Sequence, residues 1–212
     1  MRQLSIEHFV EGILGTNTYV LFFEGAKEAV VIDPAGEAQQ VLAFLTQHDL
    51  TLSYVLLTHG HADHIEAVDV LRDATGAKAA VHGLDAGMLT GETENVWAFS
   101  KRFTLRPADI LLQDGDELSV AGENICCLHT PGHTPGGLCY MLGEHIFTGD
   151  TLFRGSIGRT DFPHADGAVM KKSLEKIADL QGDLFVYPGH GESTRLDEER
   201  AANPFLRFRN KN

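Results

Sequence analysis

Three histidines and one carboxylate fall within a six-residue stretch of this chain. Residues 58–64 read THGHADH and follow an apolar run, residues 54–57, that is typical of a buried strand. The metal-capable side chains in this stretch are those of His59, His61, Asp63 and His64. Gly60 allows the chain to bend tightly where the strand ends, and imidazole and carboxylate are good ligands for zinc or iron. A loop with merely solvated histidines is the alternative for so short a motif.

Three further predicted strands end in the same way. Each closes in a tight turn with glycine or proline, and the turn carries a metal-capable residue: His133 in PGHTPGG, Asp150 in GDTLF and His190 in YPGHG. In α/β sheets, ligand sites lie beyond the carboxyl ends of the strands. Seven groups are therefore expected to meet, which is enough for two metal ions with a shared carboxylate and room for water. The set is His59, His61, Asp63, His64, His133, Asp150 and His190.

The elements around these turns predict an α/β fold. Strands are expected near residues 3–10, 17–24, 28–33, 54–58, 79–81, 110–112, 118–120, 125–129, 138–142, 145–148 and 184–187, and helices near 36–48, 65–75, 166–180 and 194–202. In the helix over 65–75, Val68, Val70 and Leu71 are expected to point inward. Two similar halves with hairpins and apolar strands indicate two sheets face to face with helices outside, in a single domain spanning residues 1–212.

Composition excludes several classes of function. The chain has 212 residues and a formal charge of −13, which disfavours nucleic acid as a partner. No apolar run approaches the length of a membrane helix, and the first residues contain no signal-peptide pattern. The three cysteines, Cys126, Cys127 and Cys139, do not form a disulfide framework, and Cys126 and Cys127 are expected to face opposite sides of a strand. These features favour a reducing compartment, and we expect the cytoplasm.

The motifs THGHADH, PGHTPGG, GDTLF and YPGHG together resemble the metallo-β-lactamase superfamily, and within it the glyoxalase II-like hydrolases. The similarity covers nearly the whole chain. It implies an αββα four-layer sandwich and two divalent metal ions, zinc first, with iron or manganese as alternatives. It further implies that His59, His61 and His133 hold one ion, that Asp63, His64 and His190 hold the other, and that Asp150 bridges them. The separate C-terminal helical domain of glyoxalase II is not expected here.

The resemblance also implies a reaction. A hydroxide shared by the two ions would attack a carbonyl carbon, with Asp63 orienting it, and a thiolate would leave without a strong general acid. Thioesters such as S-2-hydroxyacylglutathione, a small-molecule glutathione conjugate, are the expected substrates, with other thioesters and lactones as alternatives. Arg159 takes the place of a lysine that contacts a glutathione carboxylate in glyoxalase II. Arg154 is a second candidate contact, and an ion pair between Arg159 and Asp161 that only shapes the loop is the competing interpretation.

A persulfide dioxygenase is the alternative from another reaction class. Such enzymes share a stretch like residues 158–162 and hold a single iron, here on His59, His133 and Asp150. A β-lactamase is less favoured because no cysteine lies in a ligand turn, and a nuclease is less favoured because the chain is acidic. A metal-binding module without activity is less favoured because all seven ligand positions are filled.

Several residues outside the motifs are interpreted more simply. Residues 83–108, including Trp97, Phe99, Phe103 and Leu105, form either a lid or, as we slightly favour, ordinary packing. The basic residues Arg207, Arg209 and Lys211 would reach a substrate only if the tail folds back. His82 is expected to support the site indirectly or to be structural. His8, His48 and His129 are expected to be structural, and His145 and His164 to be exposed.

Overall fold

The computed structural model describes residues 2–93, 95 and 104–210. Over these ranges the chain forms two six-stranded sheets and one two-stranded ribbon. The first sheet contains, in spatial order, β1 (Leu4–Glu11), β2 (Thr16–Phe23), β3 (Glu28–Ile32), β4 (Thr51–Leu56), β5 (Lys78–His82) and β6 (Ile110–Leu112). The β1–β2 and β2–β3 pairs are antiparallel, whereas β3 to β6 run parallel to one another.

The second sheet also has six strands but is mostly antiparallel. Its strands are β7 (Glu117–Val120), β8 (Glu123–His129), β9 (Leu138–Leu142), β10 (His145–Gly149), β13 (Phe185–Pro188) and β14 (Thr194–Arg195). β10 and β13 are parallel neighbours, and the remaining pairs are antiparallel. The ribbon of β11 (Leu152–Phe153) and β12 (Ser156–Ile157) follows β10 directly.

Helices cover the outer faces of both sheets. They are α1 (Gln39–Gln47), α2 (Ala62–Ile65), α3 (Val68–Thr75), α4 (Ala86–Thr90), α5 (Gly167–Ala178) and α6 (Leu196–Ala202), followed by a 3₁₀ helix over Pro204–Asn210. Local signals explain their ends. The Asp166 side chain accepts hydrogen bonds from the backbone N–H groups of Ala168 and Val169 at the start of α5. Gly76, with φ of +76°, ends α3 in the left-handed conformation that glycine adopts without strain.

The core has three parts because neighbouring strand residues face opposite sides of a sheet. In β3, Val30 and Ile32 point between the two sheets, whereas Val31 packs toward the helices on the other face. Tyr140 and Phe147 of the second sheet meet the first sheet in the central layer. The apolar faces of α1 and α3 cover the first sheet, and those of α5 and α6 cover the second. The four-layer αββα sandwich is thus confirmed. The single domain over residues 1–212 stays a prediction.

Three local expectations need correction or fall outside the described chain. The helix expected over residues 65–75 is two helices, since α2 ends at Ile65 and α3 begins at Val68. Val70 is 52% exposed. Val68 and Leu71 are buried on one face of α3, and Val70 lies on the opposite face. His145 is half-buried, since its ring stacks on those of Phe185 and Tyr187.

The segment expected to be a lid or plain packing is described only in part. Trp97, Phe99 and Phe103 lie outside the described residues. Leu105 is buried, and its backbone N–H donates to the carbonyl of Leu89 at a distance of 2.8 Å. That part of the segment therefore packs on α4. Among the described residues, no helix has the length and apolar character needed to cross a membrane.

Candidate metal centre

The carboxyl ends of four strands bring the seven metal-capable side chains together. β4 leads into the turn with His59 and His61 and into α2, which carries Asp63 and His64. The remaining three follow β8, β10 and β13 of the second sheet and are His133, Asp150 and His190. These side chains form three overlapping groups, and within each group the ligand atoms lie within 4.8 Å of one another. The groups are His59–His61–His133, His59–His64–Asp150 and Asp63–His64–His190.

Asp150 lies between the two outer groups. Its Oδ2 is 3.4 Å from Nε2 of His133, and its Oδ1 is 3.5 Å from Nε2 of His64. On one side, Nδ1 of His61 is 2.9 Å from Nε2 of His133. On the other side, Nε2 of His190 is 3.3 Å from Nε2 of His64 and 3.4 Å from Oδ2 of Asp63. The arrangement offers two ligand clusters that share one carboxylate.

Unsatisfied buried atoms test whether metal ions fit here. His59 Nε2, Asp63 Oδ1 and Asp150 Oδ1 are buried and have no hydrogen-bond partner among the residues that the structure describes. A buried polar atom without a partner is costly, and buried charges are normally paired or bound to metals. Cations beside these nitrogen and carboxylate atoms would satisfy all three. The donor set of imidazole and carboxylate suits zinc, iron or manganese.

Hydrogen bonds on the far side of the rings fix their orientation. His64 Nδ1 lies 2.9 Å from Oδ2 of Asp33, and His133 Nδ1 lies 2.8 Å from the carbonyl oxygen of Arg159. Both partners are acceptors, so each Nδ1 carries a proton and each Nε2 is the ring nitrogen that faces the site. His59 Nδ1 is similarly held by the Thr58 hydroxyl at 3.1 Å. Such outer contacts are typical of histidines that bind metals.

The two sides of the site differ in proton affinity. Burial, together with the neighbouring imidazoles, holds the pKa of His59 well below its ordinary value. Burial and the nearby His133 lower the pKa of His61 to about 3. Burial also opposes charge on His64, but the carboxylates of Asp63, Asp33 and Asp150 outweigh it and raise the pKa of His64 to about 10. Without metal, a proton on His64 therefore balances the carboxylates, and a cation would replace it.

A cavity of about 260 Å³ opens beside these ligands. Its walls combine Asp63, His133, Asp150 and His190 with Leu14, Phe153, Phe162 and Arg159. The Arg159 guanidinium stacks over the Phe162 ring at 4.1 Å and donates two hydrogen bonds of 2.9 Å to the Asp161 carboxylate. Both interpretations of Arg159 thus have a structural basis, since it is paired and also lines the cavity. Arg154 instead forms an ion pair with Glu192.

A family model for the metallo-β-lactamase superfamily matches residues 12–190, a range that contains all seven metal-capable side chains. The chain belongs to the metallo-β-lactamase superfamily. Hydroxyacylglutathione hydrolase GloC of Haemophilus influenzae is 37% identical over 196 residues, which are 88% of this chain and 91% of that relative. The comparisons therefore support a metal-dependent hydrolase with divalent metal ions.

Solved structures with similar sequences share this fold. The crystal structure of BLEG-1 B3 metallo-β-lactamase is 35% identical, with a TM-score of 0.90 over 96% of this chain and all of that one. A structure of TTHA1623 in a di-iron-bound form is 34% identical, with a TM-score of 0.83 over 94% of this chain and all of that one.

Close backbone approaches account for two glycines of this superfamily member. A Cβ atom on Gly189 would lie 2.4 Å from Asp150 Oδ1 and 2.7 Å from a carbon of the His64 ring. Gly149 has φ of +47°, and a Cβ there would lie 2.3 Å from the Thr58 hydroxyl. Neither contact is compatible with a side chain. The glycines of the GDTLF and YPGHG motifs thus let the backbone pass directly beside the ligands.

Some residues that support the centre were missed from the sequence. Asp33 is buried, and its carboxylate accepts hydrogen bonds from the backbone N–H and hydroxyl of Thr58 at 2.7 and 2.6 Å, as well as contacting His64. Its position directly after β3, next to β4, is a signal that could have identified it, because the ends of neighbouring parallel strands meet. Asn17 and Asp85 were also missed, and both are fully buried polar residues.

The other histidines lie apart from the cluster. His82 and His129 stack on each other at 4.1 Å with ring planes 5° apart. Because the two rings are stacked in parallel, the lone pairs of their nitrogens lie in parallel planes and do not point at one ion. His129 Nε2 contacts the carbonyl of Pro135 at 2.9 Å. This pair therefore contributes to packing behind the PGHTPGG turn, and His164 is exposed as expected.

Proposed function

We propose that this protein is a metal-dependent hydrolase that cleaves thioesters, with S-2-hydroxyacylglutathione and similar thiol conjugates as the substrate class. One observation carries the proposal: seven imidazole and carboxylate groups meet at one edge, and three of their buried atoms lack a hydrogen-bond partner within residues 2–93, 95 and 104–210. A site of this composition is built for cations. The similarity to hydroxyacylglutathione hydrolase GloC supports the thioester class.

The proposed ligands divide into two sets. His59, His61 and His133 form the first set, and Asp63, His64 and His190 form the second. Asp150 contacts a histidine of each set and is the proposed bridge. When bound, two such ions polarise a carbonyl group and make water nucleophilic at neutral pH. Zinc is the proposed metal, and the di-iron structure of a relative keeps iron as an alternative.

The chain's own residues account for the rest of the reaction. Asp63 Oδ1 has no hydrogen-bond partner, while its Oδ2 accepts a hydrogen bond from the Thr16 hydroxyl at 3.2 Å. The Thr16 hydroxyl therefore helps to fix this carboxylate, and we propose that Asp63 orients the attacking water in addition to its role as a ligand. The water oxygen forms a C–O bond at the carbonyl carbon and gives a tetrahedral adduct, whose collapse breaks the C–S bond. The products are a carboxylate and a thiolate, and the two protons of the water pass to solvent. Because a thiol has a pKa near about 8.5, the leaving group needs no strong acid from the protein.

The cavity suits an acyl group with a polar extension. Leu14, Phe153 and Phe162 provide apolar walls, and Arg159 is the cation at the rim. We propose that Arg159 contacts an anionic group of the thiol moiety by exchanging part of its ion pair with Asp161. Arg154 pairs with Glu192, whereas Arg159 lines the cavity, so Arg154 is the weaker candidate. The three free cysteines support a reducing compartment, and we propose the cytoplasm.

The persulfide dioxygenase remains the second candidate and has a distinct requirement. It would hold one iron on His59, His133 and Asp150. The cluster of Asp63, His64 and His190 would then have no metal, although Asp63 Oδ1 is left without a hydrogen-bond partner. The number of metal ions per chain therefore separates the two functions.

The decisive experiment measures hydrolysis of S-D-lactoylglutathione by protein loaded with two metal ions per chain. His61→Ala removes one proposed ligand, and His48→Ala, at an exposed histidine after α1, is the matched control. We expect release of glutathione by the wild type and by His48→Ala, and loss of release in His61→Ala.

A lack of turnover by fully loaded protein would refute the glutathione-thioester substrate. A panel of other thioesters, lactones and β-lactams would then be tested. Oxygen uptake with a persulfide substrate would also be measured, on protein that holds a single iron per chain. Activity only on the last substrate, with one iron per chain, would replace the hydrolase by the dioxygenase.

A further inference from the structure

The two proposed metal positions each draw ligands from both sheets. The first joins the β4–α2 turn, with His59 and His61, to the β8–β9 turn, with His133. The second joins α2, with Asp63 and His64, to the β13–β14 turn, with His190. Each position therefore requires a turn of one sheet to be held in register with a turn of the other. Two buried polar side chains that do not contact the ligand rings form such links, one for each position.

Asp85 links the two turns of the first position. Its side chain is fully buried at the start of α4. Oδ2 accepts a hydrogen bond from the backbone N–H of Gly60 at 3.2 Å, and Oδ1 accepts one from the N–H of Gly136 at 2.6 Å. Gly60 separates two proposed ligands, and Gly136 lies in the turn of the third. Asn95 also contacts the first turn, at Gly60 and Ala62, and both of these hydrogen bonds stay within that turn.

Asn17 performs the corresponding link for the second position. It lies in β2 of the first sheet and is 1% exposed. Its Nδ2 donates to the carbonyl oxygens of Pro188 and Gly191, each at 2.9 Å, and its backbone N–H donates to that of Gly189 at 2.7 Å. These contacts hold the chain on both sides of His190.

Neighbours of Asn17 strengthen the same link. The Tyr19 hydroxyl donates to the Pro188 carbonyl at 2.7 Å, and Thr16 pairs with His190 through a β-bridge. Thr16 also donates to Asp63, another ligand proposed for the second position. The hydrogen bonds that Thr16, Asn17 and Tyr19 make to metal-site turns thus reach the second position.

We propose that Asp85 and Asn17 are positioning residues of separate metal positions, Asp85 for the first and Asn17 for the second, so that the two positions can be weakened independently. The inference rests on the ligand assignment proposed above. The physical reason is the geometry of these hydrogen bonds: each side chain fixes backbone groups within a few residues of the ligands of one position. Substitution of such an outer residue typically weakens metal binding by about 10–100-fold.

Two isosteric exchanges test the proposal. Asp85→Asn places an amide N–H against a backbone N–H, and Asn17→Asp places a carboxylate oxygen against two backbone carbonyls. Both variants keep the side-chain volume. Zinc binding to each purified full-length chain is measured by titration against a chromophoric chelator, which yields one affinity for each of two ions. His61→Ala and His190→Ala identify which binding step belongs to which position.

The expected result is a crossed pattern. Asp85→Asn should weaken the step lost in His61→Ala by about 10–100-fold and leave the other step unchanged, and Asn17→Asp should do the reverse. The combined variants extend the test, because Asp85→Asn should add nothing to His61→Ala but should add its full effect to His190→Ala. A purely structural role would lower the melting temperature without this selectivity.

Equal weakening of both steps in either variant, or weakening of neither, would overturn the inference and leave the proposed hydrolase intact. If either isosteric variant fails to fold, Asp85→Ala and Asn17→Ala replace it, since they remove the link without introducing an opposed polar group. A wild-type chain that binds fewer than two ions would instead refute the proposed two-metal site, and the inference would fall with it.

Discussion

Asp33 offers the most direct perturbation of the candidate centre. It is 1% exposed, and its carboxylate accepts three hydrogen bonds. The donors are the Thr58 backbone N–H, the Thr58 hydroxyl and His64 Nδ1. Because Nδ1 of His64 keeps its proton for Asp33, Nε2 is the nitrogen that would present a lone pair to a bound metal ion. The perturbation we consider is Asp33→Asn, which keeps the shape and replaces one acceptor oxygen by a donor.

The structure predicts where the new amide nitrogen will lie. Oδ1 of Asp33 accepts from a backbone N–H, which cannot rotate, so the amide oxygen should take this place. The amide nitrogen then occupies the place of Oδ2, opposite the Thr58 hydroxyl and His64 Nδ1. The hydroxyl can turn to accept, but His64 must move its proton to Nε2, the atom that faces Asp63 and Asp150.

A metal ion can bind Nε2 of His64 in the variant only if this proton leaves Nε2. If the proton returns to Nδ1, it faces the new amide N–H group, and two donors oppose each other without an acceptor. An unsatisfied buried group costs about 1–3 kcal/mol. We therefore expect the second binding step to weaken by about 10–100-fold, or about 1.4–2.8 kcal/mol. The first step should change less, because Asp33 reaches its proposed ligands only through the Thr58 hydroxyl, which contacts His59 Nδ1.

Chelator competition with zinc measures both steps, and Asp183→Asn provides the control. Asp183 also accepts from a side-chain nitrogen of Arg195 and a backbone N–H of Asp197, but it precedes β13 at the end opposite His190. An unchanged second step in Asp33→Asn would refute the reasoning, since it would show that the proton on His64 does not depend on Asp33. An equal loss in Asp183→Asn would show that the effect is not specific to the site.

Three further outcomes follow from single contacts. Gly189→Ala should destabilise the chain by about 1–3 kcal/mol and abolish the second metal step, because the new Cβ would press on Asp150 and His64; denaturant titration and zinc binding measure this. Asp161→Asn should lower KM for an anionic thioester by releasing Arg159, whereas an unchanged KM would favour the loop-shaping role. In metal-free protein, His64 has a pKa of about 10 against an ordinary 6.5, so its stabilising contribution is fully present below pH 6.5 and lost as pH rises through 10. His64→Gln should remove that slope from the free energy of unfolding, and a slope that persists would contradict the assignment.

Local motifs explain why much of the site could be predicted. Each proposed ligand follows an apolar strand within a few residues, so the local sequence indicates both the side chain and the turn that carries it. The two-sheet sandwich was predicted for the same reason, from alternating and continuous apolar runs. The roles of the seven residues as metal ligands stay a prediction, although the fold brings their side chains together.

Local patterns failed where burial depended on the exact helical phase or on a distant partner. Val70 was expected to point inward with Val68 and Leu71, but positions three apart share a helix face and the position between them does not, so Val70 is exposed. His145 was expected to be exposed, but the ring of Phe185, from a strand far along the chain, covers it.

The sequence by itself determined the chemical types of the ligands, the turns that carry them and the layered fold, because these depend on residues a few positions apart. Only the tertiary structure decided which groups hold those turns in register. Asn17 binds the carbonyl of Gly191, 174 residues further along the chain, and Asp85 binds the N–H of Gly136, 51 residues away. Every residue but proline carries such backbone groups, so no letter in the sequence identifies them as partners. The pairing exists only once the two sheets have packed.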